Sequence, residues 1–136
     1  AAYTLRTTAS DYMKFLEALS RGTGLGKESR IAIFTRVVQA VRYAGKPRDC
    51  DQRIFWGLGV GIEKHQKLGE VVFHWGDNGT FRSLFLVVPA KGLQPKRILV
   101  YFTNSQAGHD VISDITSLFF NNKEPLAIDQ WVNENE

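Results

Sequence analysis

Four apolar segments of strand length follow one another along the middle of the chain, and their short connections constrain the fold more than any other feature. The segments span residues 54–63, 70–75, 81–88 and 97–103. The longest connection between them, residues 89–96, is shorter than the dozen or so residues that a crossover to a parallel neighbour needs. The sequence therefore predicts an antiparallel four-stranded meander whose strands pair in chain order.

Both faces of this sheet are predicted to be covered. Residues 84–88 and 98–102 are apolar at odd and even positions alike, and successive strand residues point to opposite faces. In the first segment, small and large residues alternate, which predicts one strand with a nearly bare face that another element approaches closely. The small residues are Gly57, Gly59 and Gly61.

Helical patterns before and after the strands supply this cover. Thr8 and Asp11 have the spacing of a capping box and precede an amphipathic segment that a glycine-rich stretch ends, so a helix is predicted over residues 9–21. Apolar residues at helical spacing predict two more helices, over residues 28–42 and 108–121.

The remaining segments are a polar connection and a tail. Residues 43–53 contain Gly, Pro and five charged residues and are predicted to form a surface loop. The tail, residues 122–136, carries a small apolar cluster that we expect to dock on the body: Leu126, Ile128 and Trp131. Residues 1–136 are thus predicted to be one domain or part of one, of the α/β class and α+β by strand order, with the meander flanked by helices.

Composition excludes several classes of function. The chain has no stretch of twenty apolar residues, and its net charge of +3 comes from scattered basic residues, so neither a membrane span nor a nucleic-acid surface is predicted. The lone Cys50 cannot build a disulfide or a zinc site within one chain. The chain starts at Ala1 with neither an initiator Met nor a signal-peptide pattern, so we expect a processed or truncated N-terminus.

No metal and no cofactor are predicted. The three histidines, His65, His74 and His109, lack the spacing of metal ligands. The stretch from Gly57 to Gly61 reads GxGxG inside a strand pattern and not GxGxxG between a strand and a helix, so it indicates close packing and not a phosphate cradle.

The most informative stretch runs from His74 to Ser83 and reads HWGDNGTFRS. It places a titratable histidine at the end of a strand, followed by a small residue and a turn whose backbone N–H groups are available to a cleft. Donors fixed on a strand need little reorganisation as negative charge develops, so the stretch suits the binding of an anion or an oxyanion. The alternative is an ordinary hairpin turn with a half-buried histidine.

Four segments, TTASDYMKFLEAL, WGLGVGIE, FHWGDNGTFRSLFLVVPAKG and RILVYFTNSQAG, occur in this order along the chain. Together they resemble the C-terminal portion of the serine β-lactamase-like and penicillin-binding-protein-like family, in particular its class C β-lactamase and esterase branch. Each segment alone is weakly specific, whereas the ordered set is specific and extends over nearly the whole chain, from about Leu5 to Phe120.

The resemblance implies roles for a short run of residues. In the family a Lys-Thr-Gly or His-x-Gly motif lies on the strand that lines the active site, and His74, Trp75 and Gly76 match the second form. His74 is then expected to be a catalytic polar group, and Asp77 is expected to supply a backbone N–H to the oxyanion hole. Trp75, Gly76 and Asn78 are expected to bind substrate, although Trp75 is larger than the Thr or Gly usual there.

Two of the family's motifs are missing. The sequence contains no Ser-x-x-Lys, which carries the nucleophile, and no Tyr-x-Asn; both precede the matched region in the family. We therefore expect a C-terminal fragment of a hydrolase that performs acyl transfer on an amide or ester, inactive alone. The expected partners are the missing N-terminal part of the fold and, in the parent protein, a small amide or ester substrate. The resemblance also implies a periplasmic or extracytoplasmic location.

Two other classes fit the same sequence. One is a non-catalytic binding or sensor module that kept the fold, and the other is a structural α+β interaction domain whose likeness to the family is accidental. In the family, the strand corresponding to residues 97–103 pairs with the first strand of the domain, which this chain lacks. We therefore expect an exposed edge there and self-association through it.

Overall fold

A computed structural model describes residues 4–41 and 48–133 and arranges them as one antiparallel sheet with helices on both faces. Within these residues the sheet has six strands in the order β1 to β6, so the in-order antiparallel meander and the α+β class are confirmed. The strands are β1 Val38–Gln39, β2 Ile54–Trp56, β3 Gly61–His65, β4 Gly69–Asn78, β5 Phe81–Val88 and β6 Arg97–Thr103. The helices are α1 Ala9–Arg21, α2 Lys27–Ile33, α3 Ile112–Phe120 and α4 Ala127–Asn133, with 3₁₀ turns at Asp51–Arg53 and Gln106–His109.

The first helix follows its sequence signals. Thr8 is the N-cap of α1, and its hydroxyl oxygen accepts the Asp11 N–H at 3.1 Å. Gly22 ends the helix with a φ of 76°, a left-handed conformation in which its N–H reaches the last carbonyls. The predicted bounds, 9–21, are confirmed.

The predicted single strand over residues 54–63 was wrong, because these residues form a hairpin. Ile54 of β2 lies opposite Glu63 of β3, and the chain turns between them, where the Gly57 N–H donates to the Val60 carbonyl at 2.8 Å. Gly59 has a φ of 81° at this turn. An alternation of glycine and large residues fits a straight strand and a turn equally well, and the positive φ of the central glycine decides for the turn.

The helix predicted over residues 28–42 was too long. Helix α2 ends at Ile33, and Val38–Gln39 forms β1 against β2. The β-branched valines after the helix favour extended backbone, which explains the early end. The end of the predicted helix, residue 42, lies outside the described residues, as do residues 43–47 of the predicted loop.

The C-terminal third also differs in detail from its prediction. The helix expected over residues 108–121 is a 3₁₀ turn at Gln106–His109 followed by α3, and Asn121 ends α3 with a φ of 49°. The tail contains a further helix, α4. The predicted docking of the tail is confirmed, since its three apolar residues are all at most 4% exposed: Leu126, Ile128 and Trp131.

Apolar side chains cover the sheet on both faces, as the two-sided strands predict. One face packs against α3 and α4, with Phe73, Leu84 and Leu86 among its buried residues. The other packs against α1 and α2, with Leu16 and Phe85 in its core.

Two of the three alternating glycines are approached closely, as predicted. A Cβ built on Gly61 would lie 2.3 Å from the Phe73 ring, and one on Gly57 would lie 2.7 Å from the Ile33 carbonyl oxygen. The third, Gly59, has nothing within 4 Å and serves the turn.

We expect Gly61→Ala to lower the free energy of unfolding by about 1–3 kcal/mol, because the added methyl collides with the Phe73 ring and overpacks the core. Urea unfolding followed by far-UV circular dichroism measures the change. Phe73→Leu serves as the second-site control, since the smaller side chain makes room and should cost less in combination with Gly61→Ala than in the parent sequence. A Gly61→Ala protein as stable as the parent would contradict the close approach.

Candidate active site

The predicted site lies on the second half of β4, where one side of the strand is open. Phe73 is opposite Gly61, the first residue of β3, so the β3 ladder ends there. Residues 74–78 pair with β5 alone among the described residues. The segment therefore presents a free backbone edge next to a regular antiparallel ladder.

The register shows which backbone groups face this open edge. Asn78 and Phe81 flank the two-residue turn at 79–80, where Gly79 has the positive φ, 61°, that the first position of a type II′ turn needs. These flanking residues form the hydrogen-bonded pair that closes the turn, and bonded and non-bonded pairs alternate along an antiparallel ladder. Asp77, opposite Arg82, is then a non-bonded position, and its N–H points away from β5 into the open edge.

The same alternation applies to the neighbours of Asp77. The N–H groups of Gly76 and Val72 point toward β5, where their opposite residues are Ser83 and Val87. Both amides therefore belong to the ladder between β4 and β5. Gly76 lies in the open half of β4, whereas Val72 lies where β4 has both β3 and β5 as neighbours.

His74 is exposed and lies on the face that α1 covers. Its Nδ1 is 2.8 Å from the Trp75 carbonyl oxygen. A carbonyl only accepts, so Nδ1 donates, and in the neutral ring Nε2 is left with a free lone pair. The ring lies near Phe85 and Trp56, at centroid distances of 6.4 and 6.0 Å. The imidazole is thus oriented by the backbone and presents a proton acceptor.

Gly76 shares the face of His74, and the place that a side chain would take there is occupied by Ser83. A Cβ at this position would lie 2.4 Å from the Ser83 hydroxyl oxygen. Asn78 also shares this face, since alternate strand residues point the same way, and it is exposed. The structure therefore brings His74, Gly76 and Asn78 together on one side of β4.

The other two predicted site residues point to the opposite face. The Trp75 side chain belongs to an aromatic cluster with Trp131, at a centroid distance of 4.9 Å, and with Trp56 at 5.7 Å. The Asp77 carboxylate forms an ion pair with Arg82 at 2.6 Å. The backbone N–H of Asp77 thus points to the open edge, while its carboxylate binds Arg82 of the neighbouring strand β5.

Sequence reasoning assigned no role to Arg82. Its side chain is 6% exposed and donates to the Gly79 carbonyl as well as to Asp77, so it ties the hairpin turn to both strands. The two-residue turn was the available signal, because a turn of that length places Arg82 opposite Asp77.

Two carboxyl groups are buried where α4 packs, one in β3 and one in α4 itself. Burial raises the pKa of Glu63 to about 7, although it accepts the N–H groups of Ala127 and Ile128. Burial also raises the pKa of Asp129 to about 6, against the opposing effect of the Thr116 hydroxyl. Both carboxyls therefore hold a proton more tightly in the folded chain than in an unfolded one.

A cavity of about 270 Å³ lies between α3 and residues 122–126. Its lining includes Thr116, Ser117 and Asn122 and none of the predicted site residues. Among residues 4–41 and 48–133, no group of three or more His, Cys, Asp or Glu side chains is placed to hold a metal ion. No helix in these same ranges combines the length and the apolar character needed to cross a membrane.

The sequence matches no protein-family model and no curated protein. Its structure superposes on the crystal structure of the penicillin-binding protein from Bacillus halodurans with a TM-score of 0.64 and 23% sequence identity. The fold is penicillin-binding-protein-like.

This likeness covers 83% of the chain and only 31% of the penicillin-binding protein. The chain therefore spans about a third of the length of the protein it resembles. At this identity the likeness establishes the fold and leaves the activity to be argued from the site.

Proposed function

We propose that the chain is the C-terminal part of a serine hydrolase of the class C β-lactamase and esterase type, acting on an amide or ester. The observation that carries the proposal is the open half of β4. There the backbone N–H of Asp77 points outward next to His74, which presents Nε2, and next to Gly76, which adds no side chain of its own beside them.

The proposed reaction is an acyl transfer that uses this edge. A serine hydroxyl supplied by the missing N-terminal part attacks the substrate carbonyl, and the oxygen that becomes negative accepts the Asp77 N–H. In this proposal His74 Nε2 accepts the proton of the serine hydroxyl as the hydroxyl attacks, and then gives that proton to the amine or alcohol that leaves. The resulting acyl-enzyme is then hydrolysed by water, which returns the serine.

The coding sequence upstream of Ala1 tests the proposal first. We expect a Ser-x-x-Lys motif there, and we expect the longer protein to hydrolyse a chromogenic ester or β-lactam while residues 1–136 alone do not. An upstream sequence without that motif would overturn the enzyme and support the non-catalytic binding or sensor module.

The edge of β6 is the proposed docking place of the missing part. Strand β6 is the last in the sheet, with β5 as its neighbour among the described strands. Next to this edge, Phe15 of α1 is 52% exposed and Phe102 of β6 is 37% exposed, and Tyr12 packs against both rings. An outer strand edge without a described partner, beside exposed aromatic rings, suits an additional strand with its own apolar cover.

We expect the isolated chain to self-associate through this edge. Phe85 of β5 uses its backbone N–H and C=O for β4, so Val100, opposite Phe85 in β6, points its own N–H away from β5 to the outer edge. Val100→Pro therefore removes a hydrogen-bond donor of this edge and keeps the hydrogen bonds between β5 and β6. Sedimentation velocity should show oligomers for the parent sequence and a monomer for Val100→Pro. Val100→Thr, which keeps the N–H, is the matched control. A parent chain that stays monomeric at high concentration would contradict the prediction.

A further inference from the structure

The C-terminal helix α4 is attached to the sheet by a buried carboxyl group of β3. Glu63 is 0% exposed, and its two carboxyl oxygens accept the N–H groups of Ala127 and Ile128 at 2.8 and 3.1 Å. These are N–H groups of the first turn of a helix, which have no partner within the helix itself. Glu63 therefore fixes where α4 begins on the sheet.

A second carboxyl group fixes α4 to α3. Asp129 Oδ2 accepts the Thr116 hydroxyl at 2.8 Å and the Leu126 N–H at 3.3 Å. Two buried carboxyl groups thus anchor α4: Glu63 binds it to the sheet, and Asp129 binds it to α3. Both side chains are at most 2% exposed.

The side chain that α4 places against the candidate site is Trp131. Its ring is 4% exposed and meets the Trp75 ring edge-on at a centroid distance of 4.9 Å, with Trp56 at 5.8 Å on another side. Trp75 lies between His74 and Gly76 in β4. The contact therefore reaches the strand on the face opposite to His74.

This contact matters because the ladder supports the strand on one side only. Residues 74–78 pair with β5 and, among residues 4–41 and 48–133, with no other strand, so the outward N–H and C=O groups of Trp75 and Asp77 make no ladder hydrogen bond with a described strand. A segment with few backbone bonds opens more easily than the core of a sheet. Packing of Trp75 against Trp131 supplies the restraint that a second neighbouring strand would give.

We propose that Glu63 and Trp131 are positioning residues for residues 74–78: Glu63 seats α4, and Trp131 of α4 holds Trp75 and with it the outward Asp77 N–H. The consequence for catalysis rests on the function proposed above. The positioning itself is a property of this chain and is measurable without substrate.

Amide hydrogen exchange of the chain tests the positioning. Trp131→Leu keeps an apolar side chain in α4, and it removes the aromatic contact together with the side-chain hydrogen bond from Trp131 to Asp51. We expect exchange of the Gly76 amide to rise at least about tenfold, and exchange of the Val72 amide, in the same ladder but between two strands, to change less than about twofold. Equal changes at both amides, or none at Gly76, would overturn the proposal.

Tryptophan fluorescence tests the role of Glu63, because all three tryptophans of the chain, Trp56, Trp75 and Trp131, lie in the one cluster. We expect Glu63→Leu to shift the emission to longer wavelength and to speed Gly76 exchange, and Glu63→Gln, which keeps an acceptor for Ala127, to do neither. Glu70→Gln, an exposed residue of β4, is the control. If Glu63→Leu does not fold, Glu63→Met, which also lacks the carboxyl acceptors, takes its place. A folded variant without the carboxyl group that leaves Gly76 exchange unchanged would overturn the role of Glu63.

Activity of the longer protein separates this inference from the proposed function. We expect Trp131→Leu to lower kcat about fivefold or more with KM within about twofold, since a displaced oxyanion donor weakens binding of the transition state. If Gly76 exchange responds and the longer protein has no activity, the proposed function fails and the positioning stands. An active protein with unchanged kcat and unchanged exchange would overturn the positioning alone.

Discussion

Between about pH 4 and pH 8, the chain is expected to lose about 3 kcal/mol of stability that a Glu63→Gln variant does not lose. Burial raises the pKa of Glu63 from 4.5 to about 7. The folded chain therefore binds this proton more tightly than the unfolded chain does, and raising the pH favours unfolding. The contribution is fully present below about pH 4.5 and is lost as the pH rises through 7, because each tenfold difference in proton affinity between the two states corresponds to about 1.4 kcal/mol.

Urea unfolding at a series of closely spaced pH values measures this difference. Other groups face Glu63, namely Arg53 at 4.0 Å and the carboxyl of Asp129, and both remain in the variant. Burial also lowers the pKa of His65, which acts in the opposite direction in parent and variant alike and cancels in the comparison. Glu70→Gln is the exposed control and should keep the parent profile. Parallel profiles for the parent and Glu63→Gln would contradict the prediction.

The second large effect concerns His74 in the longer hydrolase that we propose. We expect His74→Ala to lower kcat/KM for an activated ester roughly 10²-fold or more, the loss typical of a positioned proton-transfer group. The same change should leave the stability of residues 1–136 within about 0.5 kcal/mol, because the side chain is exposed. Glu70→Ala, exposed on the same face of β4, is the matched control and should keep full activity.

Two measurements check this prediction, ester or β-lactam hydrolysis by the longer protein and thermal melting of the chain. An active protein indifferent to His74→Ala would remove the catalytic role. A chain that melts on losing His74 would favour a structural histidine in a hairpin.

Gly76→Val should impair both the fold and the activity, since its Cβ would lie 2.4 Å from the Ser83 hydroxyl oxygen. Combining it with Ser83→Ala should recover part of the stability by removing that atom. Activity should stay low, because the branched side chain still occupies the space beside His74. If the double variant recovered both its stability and its activity, Gly76 would be needed for packing and not for substrate binding.

The sequence by itself determined the elements whose signals are local. Helix α1 begins after the N-cap Thr8 and ends before Gly22, whose backbone is left-handed, and each of these residues bonds only groups within one turn of the helix. Strands β5 and β6 have the predicted bounds, 81–88 and 97–103, because their apolar runs end at turn residues. Short connections then left an in-order antiparallel meander as the arrangement of the strands.

The open half of β4 was decided by the tertiary structure. The residues from His74 to Asn78 were recognisable in the sequence, but their exposure at an edge follows from where β3 begins, at Gly61. The pattern over residues 54–63 was compatible with one strand, and the pairing of Ile54 with Glu63 excludes it. Pairing partners depend on the whole sheet, which a local period does not encode.

The environments of Glu63 and Trp75 were also decided by the tertiary structure. Nothing near Glu63 in the sequence distinguishes it from an exposed strand glutamate. It is buried because α4 packs over it, where the N–H of Ala127, 64 residues later in the chain, donates to its carboxyl group. Trp75 faces Trp131 for the same reason. Local periodicity predicts that a residue lies in a strand, whereas what covers its side chain depends on contacts far apart in the chain, and those contacts set the burial and the pKa.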